Sequence, residues 1–78
     1  METTKKEDKF IKILGKRIAE LRKAKGYTQV TFSDKSGMHR TALAKIEKGR
    51  VNPTIIILKR ISDCLGVELE ELLKFDGK

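Results

Sequence analysis

Single glycines interrupt this chain at Gly26, Gly37, Gly49 and Gly66, and the segments between them carry apolar residues at helical spacing. That punctuation constrains the fold more than any other feature. Each segment is too short for a long coil and too regular for a loop. Ile11, Leu14, Ile18 and Leu21 repeat every three or four positions, with charged residues on the other faces, which predicts an amphipathic helix over about residues 7–25. Gly26 stands where such a helix stops. Thr28 can accept from the unpaired N–H groups that open a second helix, over about residues 29–36. Met38-His39-Arg40 leads into a third, over about residues 40–48, with Leu43 and Ile46 turned inward. Pro53 disfavours helix at Asn52, so residues 50–53 are expected to form a loop. Thr54 then caps a fourth helix with Leu58, Ile61 and Leu65 as its seam, and a short fifth helix holds Leu69, Leu72 and Leu73. Ile55 to Leu58 is β-branched in part, but it lies inside a helical period that continues to Leu65, and no strand pattern competes. The expectation is an all-α, compact five-helix bundle, one domain over residues 1–78, with residues 1–6 and 76–78 frayed.

Size and charge narrow the function. Seventy-eight residues bury only roughly 60% of the surface that the unfolded chain exposes, which excludes two-domain clefts and doubly wound nucleotide folds. The uninterrupted aliphatic run Ile55 to Leu58 falls far short of the ~20 residues that span a bilayer. The charged opening, Met-Glu-Thr-Thr-Lys-Lys-Glu-Asp, has no apolar stretch behind it and is not expected to act as a secretory signal. Cys64 is the lone cysteine, so no internal disulfide forms, and a reducing cytoplasm is expected. The formal charge is +7, distributed unevenly: the first 52 residues sum to +8 and the last 26 to −1. A basic part joined to a near-neutral part suggests one face for a polyanion and another for a different contact.

The two short segments joined across Gly37 carry the functional signal. A helix, a tight glycine-containing turn and a second helix can place that second helix in a DNA major groove. With Leu43 and Ile46 turned to the core, the third helix leaves His39, Arg40, Thr41, Ala44 and Lys45 outward, a set rich in donors and free of acid. Glu47 is the exception.

These residues resemble the phage repressor and Cro-like helix-turn-helix family over about residues 28–73. The marks are Thr28-Gln29, Gly37, Ile46-Glu47-x-Gly49, Asn52-Pro53-Thr54, Leu58-x-x-Ile61, Leu65-Gly66-Val67 and Leu72-Leu73, in order and at the family's separations. The resemblance implies a sequence-specific regulator of transcription on double-stranded DNA. Arg40, Thr41 and Lys45 would read bases, with His39 and Ala44 at the margins. Thr28, Gln29, Lys48 and Arg50 would contact phosphates. Glu47 would pair internally with Arg22. Val30 and Thr31 stand where polar and acidic residues are usual, so the cap at Thr28 is expected to lack its acid. Ile56 and Ile57 fill positions that are often polar. Because one such helix reads only a few base pairs, a homodimer on a two-fold symmetric site is expected, with Ile56, Leu69, Leu72, Leu73 and Phe75 as its candidate interface. Proteins of this size resemble both phage Cro-like repressors and the controller proteins of restriction-modification systems, and repression and activation both stay open.

Other readings stand beside this one. An antitoxin-like module would bind a toxin, or another protein such as RNA polymerase, through the C-terminal half, with DNA binding subordinate. A charge-driven binder would take any nucleic acid. Catalysis finds no support: no Ser/His/Asp or Cys/His set, no paired carboxylates and no glycine-rich phosphate loop occurs in usable context. One His and one Cys, 25 positions apart, make a metal site unexpected. No cofactor, membrane partner or small-molecule effector is expected. Cys64, Tyr27 and Phe32 read as packing groups, and Lys5, Lys6, Lys9, Lys12 and Lys16 as a solvated face or a phosphate tether.

Overall fold

In the computed structural model, which describes residues 2–75, the first helix begins earlier than its apolar period. Thr4 caps it: the hydroxyl accepts from Glu7 N at 3.1 Å, and Glu7 Oε1 accepts from Thr4 N at 2.9 Å. This reciprocal box satisfies two backbone donors, so α1 runs over Lys5–Ala24. The expected start near Glu7, and the expected fraying of Lys5 and Lys6, are corrected on that ground. The expectations for Met1 and for residues 76–78 lie outside the described residues. The remaining helices are α2 (Gln29–Ser36), α3 (Arg40–Glu47), α4 (Ile55–Leu65) and α5 (Leu69–Leu72). No strand is present among the described residues, and none of their helices is long and apolar enough to cross a membrane.

The core gathers one stripe from each helix. Leu14 and Ile18 of α1, Phe32 of α2, Leu43 and Ile46 of α3, Leu58, Ile61 and Leu65 of α4, and Leu72 of α5 are all buried. Each such side chain removed from water contributes about 1.5–3 kcal/mol. Phe32 is fully buried and meets Tyr27 edge-on, with centroids 5.6 Å apart. Leu72 is a correction. The single turn of α5 drives it into the core, where it has no exposed surface, so it is unavailable to a second subunit. Leu69 and Phe75 are half-buried against the same core, and the Phe75 ring lies 5.2 Å from that of Phe10. Arg17 holds α5 in place by donating from Nε and Nη2 to the Glu71 carbonyl at 3.3 and 3.2 Å.

Between α2 and α3 the chain reverses in three residues. Gly37 adopts φ +75°, the left-handed conformation that ends α2, and its N–H donates to the Ser33 carbonyl. Met38 follows and is buried beneath the turn. At the other end of α2 the missing acid is replaced by a hydroxyl. Thr31 N donates to Thr28 Oγ1 at 3.1 Å, and Thr28 N donates to Thr31 Oγ1 at 2.9 Å. Thr28→Ala is expected to destabilise the protein by about 1 kcal/mol, read as a lower thermal midpoint with an unchanged far-ultraviolet spectrum.

Candidate nucleic-acid interface

The candidate surface is built from what the core leaves over. On α3, Leu43 and Ile46 are buried, which turns Arg40, Thr41 and Lys45 into solvent; Ala44 is half-buried beside them. Thr41 and Lys45 are four residues apart and therefore lie one above the other on the outward face. His39 caps α3 without any side-chain hydrogen bond to the helix, leaving its exposed imidazole uncommitted. Lys48 and Arg50 follow immediately and are both exposed, with Arg50 N held on the Lys45 carbonyl at 2.9 Å. The structure thus brings the predicted base-reading residues and the two predicted phosphate cations onto one continuous surface.

Glu47 does not join that surface. Its Oε2 accepts from Arg22 Nε at 2.7 Å and its Oε1 from Arg22 Nη2 at 3.1 Å, with both side chains only 6% exposed. Arg22 Nη1 continues to the Tyr27 carbonyl at 2.7 Å. A third donor reaches the same carboxylate: Gln29 Nε2, 2.9 Å from Oε1. Gln29, expected at a phosphate, therefore commits one amide donor to the end of α3. Thr28 is exposed beside it with its hydroxyl engaged in the cap. The network ties α1, the turn before α2, the start of α2 and the end of α3 together. It also removes the carboxylate's charge from a face built of cations. Among the described residues no buried side-chain nitrogen or oxygen lacks a partner, as a paired interior requires.

Residues that carry no chemistry of their own complete the site. Gly15 is buried where α1 crosses the end of α3; a Cβ there would stand 2.2 Å from the Ile46 carbonyl oxygen and 2.8 Å from that of Glu47. The absent side chain is what lets Arg22 reach Glu47 from the same helix. Beside α3 a groove of about 430 Å³ separates Thr41, Ala42 and Lys45 from Val51, Pro53 and Ile57 of the following loop and α4. The sequence singles out Thr41 and Lys45 as candidates but not Ala42 and Val51, which line the same groove and whose place depends on where the loop returns.

The remaining candidates are structural. Burial pushes the Cys64 thiol above its ordinary pKa, against a smaller opposing pull from the Lys35 ammonium. A thiol held protonated is a poor nucleophile, in keeping with its packing against the core. Lys35 itself donates to the Tyr27 hydroxyl and lies over that ring. Among the described residues no group of three or more His, Cys, Asp or Glu is placed to hold a metal ion.

Comparison with known proteins places this geometry. Residues 18–72 match the helix-turn-helix family model. The chain belongs to the helix-turn-helix family of phage repressor and Cro-like regulators and carries its DNA-binding unit. It is 40% identical over 62 residues to the HTH-type transcriptional regulator y4dJ of Sinorhizobium fredii, covering 80% of each chain. It is 33% identical over 60 residues to the immunity repressor of Bacillus phage phi105, covering 77% of this chain but 42% of that one. The fold is similar to the crystal structure of the restriction-modification controller protein C.AhdI from Aeromonas hydrophila. That match has a TM-score of 0.77 at 32% identity and covers 80% of this chain and 90% of the other.

Proposed function

We propose that this chain is a homodimeric regulator of transcription that binds a two-fold symmetric site on double-stranded DNA through α3 in the major groove. One observation carries the reading: the outward face of α3 and the loop after it offer Arg40, Thr41, Lys45, Lys48 and Arg50, while the one acid there is bound internally by Arg22. Arg40 is suited to donate two hydrogen bonds to guanine O6 and N7, and Lys45 to the same kind of edge. Lys48 and Arg50 neutralise phosphates, each releasing counterions, so affinity falls with salt.

The second copy has a surface to meet. Ile55 and Ile56 on α4 are 61% and 64% exposed, and Leu73 is 42% exposed. With Leu72 withdrawn into the core, Ile56, Leu73 and the half-buried Leu69 and Phe75 remain as interface candidates. Sedimentation at micromolar concentration is expected to show a dimer on DNA; a monomer both free and bound sinks the two-fold arrangement. A small host protein that co-purifies on this apolar surface instead marks the antitoxin-like reading.

The deciding experiment is selection from a randomised duplex pool at about 0.15 M salt, where contacts to phosphate alone are weakened. A two-fold symmetric motif is expected. On that motif Arg40→Ala is expected to lose about 1–3 kcal/mol of discrimination at one position of each half-site, roughly five- to 150-fold. Equal enrichment of all sequences by a folded protein overturns the sequence-specific reading.

A further inference from the structure

We propose that the N-terminal half of α1 is a second DNA-contacting element, which lays a line of four lysines along the phosphate backbone flanking the site that α3 reads. The inference rests on the DNA-binding reading above and extends it to a part of the chain that lies before the matched family region, residues 18–72.

Lys5, Lys9, Lys12 and Lys16 are separated by four, three and four residues. At 3.6 residues per turn this places all four on one narrow stripe of α1, about 16 Å long. Each is exposed, and none forms an ion pair among the described residues. The stripe lies opposite Leu14 and Ile18, which face the core, so the fold does not need these positions for burial. Two nearby acids are engaged elsewhere: Glu7 closes the capping box with Thr4, and Asp8 accepts from the Thr3 hydroxyl. The same capping box keeps the stretch helical where an uncapped end would fray.

What turns this stripe from a solvated face into an interface is what it adjoins. Lys12 packs against Gly49, between Lys48 and Arg50: a Cβ on Gly49 would stand 2.6 Å from both Lys12 Cα and Lys12 Cγ. The lysine line therefore passes beside the loop after α3 at Lys12, with Lys16 one turn further along α1 and Lys9 and Lys5 leading away in the other direction. The basic surface is continuous from Lys45 through Lys48 and Arg50 into Lys12, then along α1 to Lys5. A duplex presents one negative charge per ~1.7 Å of its axis, so a stripe of this length matches about five base pairs of flank.

The test compares the full-length protein with the variant Lys5→Gln/Lys9→Gln/Lys12→Gln/Lys16→Gln. Glutamine keeps the aliphatic stem that Lys12 lays on Gly49, so the variant retains the packing. Circular dichroism and the thermal midpoint verify the fold. Both proteins are titrated at several salt concentrations against the selected site with ten flanking base pairs, the same site without flanks, and a random duplex of the longer length. The wild type is expected to bind the flanked site at least tenfold more tightly than the bare one. The variant is expected to lose that gain, and its slope of log affinity against log salt on the flanked duplex is expected to fall by about two to four units, at 0.9 per phosphate released.

Equal slopes for the two proteins on the flanked duplex overturn the proposal. So does a loss seen only on vesicles of anionic lipid, which would assign the stripe to a membrane surface. Failure of the sequence-specific reading looks different. Arg40→Ala would then change nothing, while the slope lost with the four lysines would persist on the random duplex, because phosphates carry no sequence. No binding to any duplex overturns both.

Discussion

Glu47→Ala is expected to unfold this protein at a temperature lower by about 12 °C or more. Alanine leaves the Arg22 guanidinium buried with one remaining acceptor, the Tyr27 carbonyl, and strands the Gln29 amide as well. Breaking a buried pair from one side costs about 3–5 kcal/mol, against a total of about 5–15 kcal/mol for a domain. In a domain of this size each kilocalorie shifts the midpoint by about 4–8 °C. The loss comes from the orphaned charge rather than from the missing attraction. Replacing both partners by apolar residues, as in Arg22→Met/Glu47→Leu, is therefore expected to recover much of the stability that the single change loses. An unchanged midpoint for Glu47→Ala, measured by calorimetry, counts against the pair as a structural tie. The variant is expected to lose DNA affinity too, since the same carboxylate joins the start of α2 to the end of α3.

Gly15→Ala separates two effects of opposite sign. Alanine is the better helix former by about 1 kcal/mol, so in an isolated helix the change would stabilise. Here the new methyl meets the carbonyl oxygens of Ile46 and Glu47 at 2.2 and 2.8 Å. These are backbone atoms and cannot rotate aside, so α1 and α3 must part by roughly an ångström, losing contact along the whole crossing. Overpacking of this kind costs about 1–3 kcal/mol and sometimes more. With a rigid neighbour the upper end applies, and a net loss of about 2 kcal/mol is expected in chemical denaturation. The separation also lengthens the Arg22–Glu47 contact, so Gly15→Ala and Glu47→Ala are expected to be less than additive. A rise in stability would show that the helices crossing at Gly15 have room to spare.

The helical order was legible because apolar spacing and single glycines are local signals. α2 ends at Ser36 and α4 at Leu65, each followed by a left-handed glycine, as the residues alone suggest. The early start of α1 was written in the sequence as well, in Thr4-x-x-Glu7, yet the apolar period that identifies a helix begins only at Phe10 and Ile11. Thr31 was legible as a departure from the usual acid. That a hydroxyl takes over the same hydrogen bond follows from its geometry rather than its charge.

Leu72 and Leu73 mark where sequence reasoning stops. They are adjacent and equally apolar, yet one is fully buried and the other 42% exposed. In a helix of four residues there is too little period to say which of two neighbours faces inward; the docking of α5 against α1 and α4 chooses. Gln29 was legible as the opening residue of α2, but its bond to Glu47 spans 18 positions and has no local signature.

By itself, the sequence determined that this protein is all-helical, where its helices break, and which side chains of α3 are left to face outward. Those are consequences of periodicity and of backbone conformations that glycine adopts at little cost. Only the tertiary structure decided that Gly15 must lack a side chain, that Gln29 serves Glu47, that Leu72 is closed to a partner and that Lys12 adjoins Gly49. Each of these depends on two segments distant in the chain meeting at a given separation. That separation is set by the packing of the whole core, where a contact can neither shift nor open without disturbing its neighbours.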